Sequence, residues 1–407
     1  RSGVYIIGAG PAGLSTALFL AKKGIYSTLI EKETFPRDKI CGDGLSGWVV
    51  TMLRRLDPEL LLKLQSLPDQ LPSHGIRFHA PNMQSIALPY QDTHYPGEPP
   101  GHLIRRIDFD RLLMDEALRH PMIEVIQGVA IDQLEQASDG VILTDRTTSR
   151  QYMARICVIA TGANSPLAHM AVPHRTDFRH QATGIRQYYS GVTGVHEGNY
   201  VDFYFLKEFL PGYLWIFPLP NGTANVGAGI RTDLLKKRRL TLKQVMERAI
   251  SENPVLAERF KEAHPISGTS AWSLPLGSRK VRLSGNRILL TGDAGSLIDP
   301  FTGEGVGNAL WSGFAASEHI HRALSANCFD TEFNLTYDHF VYDKLWKELR
   351  QSALIQRLIN YPGLFNRVMN KAVAHPEMQQ SLIRMIGNLD ERNKLTHLWY
   401  YLKALCK

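Results

Sequence analysis

The stretch from Val4 to Gly13, VYIIGAGPAG, decides the fold of this chain. Its apolar beginning predicts a short buried strand, and the spacing of Leu14, Leu18 and Ala21 after the glycines predicts a helix up to Lys23. A strand, a glycine turn and a helix in this order are typical of the unit that binds the phosphates of a dinucleotide. The alternative is a glycine-rich turn in an unrelated α/β unit.

Each glycine of this unit has its own physical role. Gly8 permits the tight turn, Gly10 lets the backbone approach a pyrophosphate, and Gly13 lets the helix pack closely on the strand. The helix N-terminus offers free N–H groups to the phosphates. A second predicted strand, Ser27 to Ile30, ends on Glu31, where a carboxylate accepts hydrogen bonds from the adenosine ribose.

A second glycine string, GDGLSG from Gly42 to Gly47, also fits the GxGxxG pattern. No strand leads into it, so we assign no second nucleotide to this string.

The sequence around Asp293 resembles the second FAD motif of the flavoprotein fold shared by p-hydroxybenzoate hydroxylase and glutathione reductase. A predicted strand runs into Gly292 and Asp293, and the string PFTGEGVG then begins a helix that we expect to continue through Ser317. The resemblance implies that Asp293 binds ribityl or ribose hydroxyls and that the positive end of the helix faces the flavin. FAD is therefore the predicted cofactor.

Two further segments bear on the flavoprotein interpretation. The string RIDFDRLL from Arg106 resembles the RxxFDxxL element of the same superfamily, whose arginine lies beside FAD. An ordinary helix start capped by Asp108 or Asp110 is compatible with this interpretation. Thr161 and Gly162 stand where aromatic hydroxylases carry Asp-Gly. Because that Asp helps those enzymes to handle NADPH, its absence weakens the hydroxylase interpretation.

Two motifs narrow the family. PRDKICGDG, from Pro36 to Gly44, resembles the PxxKxCG element of geranylgeranyl reductases, and GYLWIFP, from Gly212 to Pro218, resembles their YxWxFP element. With the helix after the second FAD motif, the likeness covers roughly residues 4 to 320 in the correct order. The chain thus resembles the geranylgeranyl reductase family of FAD-dependent oxidoreductases.

The motifs and the resemblance together give the residues expected to bind FAD. Cys41 is expected near the flavin ring, where it lines the flavin face, tunes the flavin potential or helps to deliver a proton. The alternative is an inert small apolar side chain. The full expected set is Gly8, Gly10, Ala12, Gly13, Glu31, Lys32, Arg37, Cys41, Gly42, Arg106, Ala130, Thr161, Gly162, Gly292, Asp293, Gly303, Gly305 and Val306.

The YxWxFP strand predicts an aromatic wall. Side chains alternate along a strand, so Tyr213, Trp215 and Phe217 share one face. Packing between sheet and helices is the alternative use of such a face. The family motif favours a long apolar pocket for an isoprenoid chain. The expected substrate-binding residues are Tyr204, Tyr213, Trp215 and Phe217, with Tyr200, Val201, Phe203 and Phe205 extending the surface, and the expected catalytic residues are Cys41, Tyr213 and Trp215.

The predicted fold class is α/β, or α+β overall, with a Rossmann-like FAD domain and an antiparallel substrate sheet. The FAD domain is expected to be discontinuous, built from 1–72, 101–170 and 280–325, with 73–100 and 171–279 forming the substrate domain. Pro96 to Gly101 would be a rigid linker between them. Residues 326–407 are predicted to be helical. An apolar spacing of leucines in the last predicted helix suits a membrane interface, closure of the substrate cavity, or packing on its own domain.

Composition excludes several other classes. In 407 residues, 44% hydrophobic and 21% charged side chains are typical of a compact globular chain. The net charge of +7 comes from scattered basic residues, apart from Lys236 to Arg239, so nucleic-acid binding is not expected. Four cysteines without CxxC spacing predict no structural metal site and a cytoplasmic location. We expect no signal peptide here, and only peripheral contact with a membrane.

The functional hypothesis is that reduced FAD saturates carbon–carbon double bonds of a polyprenyl lipid. An isolated alkene is a poor hydride acceptor, so we expect proton addition, tertiary cation character, and then hydride transfer. NAD(P)H bound transiently, a ferredoxin or another reductase would supply electrons.

Three other functions are weighed against this hypothesis. A flavin monooxygenase or halogenase shares the fold, but halogenases carry WxWxIP where this chain has YLWIFP. An electron relay to quinone needs a cysteine-bound cluster that Cys328 and Cys406 alone cannot supply. A noncatalytic polyprenyl-lipid carrier that keeps FAD as a structural element is the third.

Overall fold

The computed structural model describes residues 3–90, 100–145, 147–173, 176–238, 241–375 and 377–379. Its helices are α1 (Pro11–Lys22), α2 (Gly47–Leu56), α3 (Pro58–Gln65), α4 (Arg106–Arg119), α5 (Pro166–Ala171), α6 (Thr232–Leu235), α7 (Leu242–Glu252), α8 (Pro254–Arg259), α9 (Val306–Ala326), α10 (Thr331–Leu358) and α11 (Pro362–Ala374).

The strands of the described residues form two large sheets and two small ones. In chain order they are β1 (Val4–Ile7), β2 (Ser27–Glu31), β3 (Gly44–Leu45), β4 (Gln70–Ser73), β5 (Gly75–His79), β6 (Ser85–Pro89), β7 (Gly101–Ile104), β8 (Ile123–Gln127), β9 (Gln133–Gln136), β10 (Val141–Asp145), β11 (Arg150–Ala154), β12 (Ile156–Ile159), β13 (Gln181–Ser190), β14 (Val201–Tyr204), β15 (Tyr213–Leu219), β16 (Thr223–Arg231), β17 (His264–Pro265), β18 (Ser270–Pro275), β19 (Ser284–Gly285) and β20 (Ile288–Leu290).

The first large sheet is built around β1. Its order is β19-β20-β12-β1-β2-β8, and only β19 runs antiparallel to its neighbour. Parallel strands covered on both faces must be apolar throughout, and β12 and β20 are buried at every residue. Helix α1 packs closely on α9, because a Cβ on Gly313 would lie only 2.5 Å from the carbonyl oxygen of Ala12. The predicted strand, glycine turn and helix are therefore present at the centre of this sheet.

The second large sheet has eight strands in the order β17-β13-β16-β15-β14-β5-β6, with β18 also paired to β13. All neighbours are antiparallel except β5 and β14. One face of β15 and β16 packs on α7 and α8 around Met246 and Leu256, which are both fully buried. A capping box between Thr241 and Gln244 begins α7. The opposite face is left for the cavity described below.

The small sheets have the orders β11-β10-β9 and β3-β7-β4. The predicted mixed α/β fold is confirmed, whereas the division into FAD and substrate domains stays a prediction. Helices α10 and α11 fall within the segment predicted to be helical. The predicted last helix, Cys406, Arg239 and most of the predicted linker lie outside the described residues. Within the described ranges, no helix is long and apolar enough to cross a membrane.

Candidate active site

A cavity of about 1670 Å³ lies between the two large sheets. The loops after β1 and β2 line one side of it, through Gly8, Gly10 and Glu31. Aromatic side chains of the eight-stranded sheet, including Phe203 and Trp215, line another. A typical small-molecule pocket occupies about 300 to 1,000 Å³, so this cavity has room for two ligands side by side.

The glycine turn after β1 is shaped by close backbone approaches. Gly8 has a φ of 101°, and a Cβ there would lie 2.5 Å from the carbonyl oxygen of Ala160. A Cβ on Gly13 would lie 1.9 Å from the carbonyl oxygen of Gly8, so Gly13 permits helix α1 to pack against the turn. Gly13 faces this contact and does not line the cavity, whereas every other residue expected to bind FAD does line it.

Glu31 faces the glycine turn from the end of β2. Its Oε2 accepts a hydrogen bond from the backbone N–H of Ala9 at 2.6 Å, and its Oε1 accepts one from Glu33 N–H at 3.0 Å. The carboxylate is 4% exposed, and it borders the cavity. Glu31 is therefore held at the edge of the turn by main-chain donors.

A buried ion-pair cluster lies beside the glycine turn. Arg106 binds Asp110 through two hydrogen bonds, Nε to Oδ1 at 2.7 Å and Nη2 to Oδ2 at 2.8 Å. Arg37 joins the same carboxylate at 3.2 Å and donates to the carbonyl oxygen of Ala9 at 3.3 Å. Burial opposes the charge of Arg106, but Asp110 and then Cys41 raise its pKa above the ordinary value. Arg106 therefore stays charged and paired with Asp110 at the edge of the cavity.

Cys41 lies on a loop that packs against the aromatic wall. A Cβ on Gly42 would lie 2.9 Å from Cε2 of Phe217, and one on Gly44 would lie 3.1 Å from the same atom. Because neither glycine has a side chain, the loop can lie directly on the Phe217 ring. Close packing thus accounts for two glycines of the GxGxxG string that begins at Gly42. The Cys41 loop and the wall are thus in direct contact within one cavity.

The aromatic wall has the alternation that the sequence predicts. Tyr213, Trp215 and Phe217 line the cavity, while Leu214 and Ile216 are fully buried on the opposite face. The ring of Phe203 packs edge-on against Tyr213 at 4.8 Å and against Phe217 at 5.4 Å, measured between centroids. The Tyr213 hydroxyl donates to the carbonyl oxygen of Thr302 at 2.7 Å, and Trp215 Nε1 donates to Asn225 Oδ1 at 2.9 Å.

Tyr204 requires a correction, because it does not line the cavity. Its hydroxyl accepts a hydrogen bond from Arg259 Nη1 at 2.6 Å, and its ring stacks on His79 with centroids 3.9 Å apart. The alternation along this segment turns Val201, Phe203 and Phe205 towards the cavity, and it turns Tyr204 to the helix-covered face. Tyr200 is likewise absent from the cavity lining.

Sequence reasoning missed several side chains of this cavity. Phe78 projects from β5, where its alternation with Arg77 and His79 was a usable signal. Lys39 lies with Nζ 4.1 Å from the centre of the Trp272 ring, and burial lowers its pKa although Asp293 opposes that shift. No local pattern could have paired Lys39 with Trp272, because the contact joins distant parts of the chain.

The fold and cavity define a flavoprotein of the FAD-dependent oxidoreductase class. The chain matches the family described as FAD binding domain over residues 1–325, and it belongs to that family.

Relatives and solved structures agree with this assignment. A menaquinone reductase of Mycolicibacterium smegmatis is 25% identical over 415 residues, covering 98% of this chain and 95% of the relative. A digeranylgeranylglycerophospholipid reductase of Thermoplasma volcanium is 24% identical over 359 residues, covering 87% of each.

Among solved structures, a geranylgeranyl bacteriochlorophyll reductase-like protein from Thermoplasma acidophilum superimposes with a TM-score of 0.79 at 20% identity, covering 97% of this chain and 98% of that one. A flavin-dependent brominase superimposes with a TM-score of 0.77 at 20% identity, covering 98% and 99%. The named reductase relative bears out the resemblance to the geranylgeranyl reductase family, and the two solved structures show that the fold is shared.

The residues present fit FAD. A Cβ on Gly162 would meet no described atom within 4 Å, and one on Gly10 would meet only Arg37 Nη2 at 3.8 Å, so the backbone is open to a ligand at both positions. Glu31 borders one end of the cavity, and Asp293 with the start of α9 borders another part. A long dinucleotide can therefore contact both FAD motifs within a single cavity.

Proposed function

We propose that this protein saturates carbon–carbon double bonds of a polyprenyl, geranylgeranyl-type lipid. The observation that carries the proposal is the direct packing of the Cys41 loop on the aromatic wall. The contact is so close that a Cβ added to Gly42 would lie only 2.9 Å from Phe217. An apolar chain lying on this wall would be held against the flavin side of the cavity. The named relatives that act on prenyl-bearing molecules support the same substrate class.

The proposal assigns FAD to the open glycine backbone and to both FAD motifs. Gly8, Gly10 and the N-terminus of α1 would hold the pyrophosphate, and Glu31 the adenosine ribose. Asp293 and the N-terminus of α9 would hold the flavin end. When bound and reduced, FAD supplies a hydride. A proton and this hydride together add one molecule of hydrogen to the double bond.

The aromatic wall would act on the substrate in two ways. It would exclude water from the reacting carbons, and the faces of Trp215 and Tyr213 would stabilise a developing tertiary cation by about 1 to 2 kcal/mol. The hydrogen bonds to Asn225 and Thr302 fix the orientation of these two rings. Cys41 would lie at the junction between the two ligands.

The proposal also names a donor and a location. NAD(P)H visiting transiently, or a reduced carrier protein, would restore reduced FAD. A cytoplasmic protein would reach its lipid through peripheral contact with the membrane surface, which sedimentation with lipid vesicles tests directly.

Anaerobic incubation of the dithionite-reduced protein with prenyl substrates tests the proposed reaction. The panel should contain geranylgeranyl lipids and a menaquinone, and mass spectrometry should detect products heavier by two hydrogens per reduced bond. Flavin reoxidation without any such product, or no reoxidation at all, would reject the proposal. The second outcome would instead support the noncatalytic lipid carrier.

A flavin-dependent halogenase or monooxygenase is the second candidate, because a brominase shares this fold over nearly its whole length. Phe217 and Tyr213 differ from the halogenase WxWxIP motif, which favours the reductase. Reduced protein exposed to oxygen, bromide and an electron-rich aromatic acceptor distinguishes the candidates, since only the alternatives yield brominated or hydroxylated products.

A further inference from the structure

Asp43 follows Cys41 by two residues on the same loop, and it is fully buried. It is 0% exposed, and it adopts a left-handed backbone conformation with a φ of 67° between Gly42 and Gly44. Such a conformation is uncommon outside glycine, although aspartate tolerates it better than most residues. The main chain is pinned here as well, because Ile104 N–H donates to the carbonyl oxygen of Asp43 at 3.0 Å.

The Asp43 carboxylate joins three separate elements. Its Oδ2 accepts from the Tyr188 hydroxyl of β13 at 2.8 Å and from Asn225 Nδ2 of β16 at 2.7 Å. Its Oδ1 accepts from the backbone N–H of Arg106, at the start of α4, at 3.1 Å. Tyr188 and Asn225 are register partners in the eight-stranded sheet. One buried carboxylate therefore connects that sheet to helix α4.

Asn225 connects this carboxylate to the cavity. Its Nδ2 also donates to the carbonyl oxygen of Cys41 at 2.7 Å, and its Oδ1 accepts from Trp215 Nε1 at 2.9 Å. A side-chain amide has two donor hydrogens and one acceptor oxygen. In Asn225 both hydrogens and the oxygen are used, and the residue is 0% exposed.

The chemistry of its three partners, Asp43, Cys41 and Trp215, determines which way this amide points. An ionised carboxylate only accepts hydrogen bonds, so it selects the Nδ2 side of Asn225. The oxygen must then face the Trp215 indole, which only donates. A flip of the amide would lose the bonds to Asp43, Cys41 and Trp215 at the same time.

We infer that Asp43 is a positioning residue, which locks Asn225 and thereby holds the main chain of Cys41 and the indole of Trp215 in fixed places across the cavity. The functional meaning rests on the proposed function, in which Cys41 and Trp215 border the reacting ligands. The hydrogen-bonded lock itself does not depend on that function, and its test uses no substrate.

The test measures how fast a maleimide alkylates Cys41 in the full-length protein as purified, in a background where Cys328 and Cys406 are serine. Cys157 is 0% exposed and does not compete. An amide at position 43 has one acceptor oxygen in place of two, so Asp43→Asn turns an NH2 group towards a donor, either Asn225 Nδ2 or Arg106 N–H, and weakens the lock. We expect this variant to react about tenfold faster, because the Cys41 loop is released.

Tyr188→Phe is the matched control. It removes one hydrogen bond from the same carboxylate oxygen without adding a donor, so the lock remains and the alkylation rate should stay within about twofold of the parent. Asn225→Ala should reproduce the effect of Asp43→Asn, and the double variant should show no further change, because both act through one bond.

Additive effects, a wild-type rate for Asp43→Asn, or an equal effect of Tyr188→Phe would each overturn the inference. If Asp43→Asn does not fold, the alkylation rates of Asn225→Ala and Tyr188→Phe are compared instead. Equal rates in these two variants would reject the lock. Absence of prenyl reduction by the parent protein would reject the proposed function while leaving these rates interpretable.

Discussion

Gly227 lies directly beneath the indole of Trp215. A Cβ on Gly227 would be 2.2 Å from Cζ2 of Trp215 and 2.3 Å from the carbonyl oxygen of Ile185. The two residues are register partners on β16 and β15, so the ring lies across the neighbouring strand. Only a glycine at this point lets the indole reach Asn225.

Gly227→Ala should therefore displace Trp215 and lower the free energy of unfolding by about 1 to 3 kcal/mol, the usual cost of overpacking. Denaturant unfolding measures the loss. Gly229→Ala is the control on the same strand, because its Cβ would meet Trp215 only at 3.8 Å. Equal destabilisation by the two variants would show that the indole does not need Gly227.

Trp215→Ala should reduce prenyl turnover more than stability. Removing this part of the wall should cost about 2 to 3 kcal/mol of substrate or transition-state binding, with FAD retained. Ile216→Ala, on the opposite face, should mainly lower the unfolding free energy, by about 2 to 5 kcal/mol. Steady-state kinetics and thermal unfolding together separate the two effects, and the reverse pattern would contradict the proposed wall.

Glu31→Ala and Asp293→Ala should each weaken FAD binding by about 1.5 to 3 kcal/mol, through loss of charge-assisted hydrogen bonds. Quenching of flavin fluorescence on titration measures the dissociation constant. Glu252→Ala removes a carboxylate from the exposed surface of α7 and should leave FAD affinity unchanged. A parent protein that takes up no FAD at micromolar concentration would contradict the cofactor assignment.

Cys41→Ser should leave FAD bound but alter electron transfer to substrate, because the residue borders the proposed flavin site and the aromatic wall alike. Serine keeps the size of the side chain and removes the thiol. Single-turnover oxidation of the reduced flavin by substrate is the measurement. An unchanged rate and an unchanged flavin potential would make Cys41 a packing residue.

The stability of the protein should depend on pH through Asp43. Burial raises the pKa of this carboxyl to about 6, although Asn225, Tyr188 and the backbone of Arg106 oppose the shift. Since the folded-state pKa lies above the ordinary value, the native state binds the proton more tightly. The stabilising contribution is therefore full at low pH and is lost as pH rises towards 6.

Asp43→Asn removes that titration. The unfolding free energy of the parent, relative to this variant, should fall by about 2 kcal/mol between pH 4 and pH 7. Denaturant titrations at several pH values provide the comparison. A difference that rises with pH would mean that the carboxylate is stabilised, not penalised, by its surroundings.

The sequence predicted those features that local patterns encode. The strand, turn and helix at Val4–Lys22 follow from glycine spacing, and the alternation in β15 predicted that Trp215 and Ile216 lie on opposite faces of the sheet. Helix α9 was expected to reach Ser317 and continues to Ala326, where Asn327 ends it in a left-handed conformation. That asparagine was a readable stop signal.

Other features depend on register or on distant contacts. The segment from Tyr200 to Phe205 has aromatic residues on both faces, so its composition does not say which face meets the cavity, and Tyr204 was assigned to the wrong one. The bond between Asn225 and Asp43 joins residues 182 positions apart. Nothing near either residue in the sequence indicates the other.

Each strand at the centre of the eight-stranded sheet has one face that packs on the core and one face that lines the cavity. Its rear face is held by apolar packing on α7 and α8 and by Asp202, which binds both Arg77 and Arg259. Its front face carries the rings that line the cavity. Substitutions at Phe203 or Phe217 can therefore reshape the ligand space without disturbing the core behind them. A scaffold of this kind can acquire new substrates during evolution while its fold stays the same.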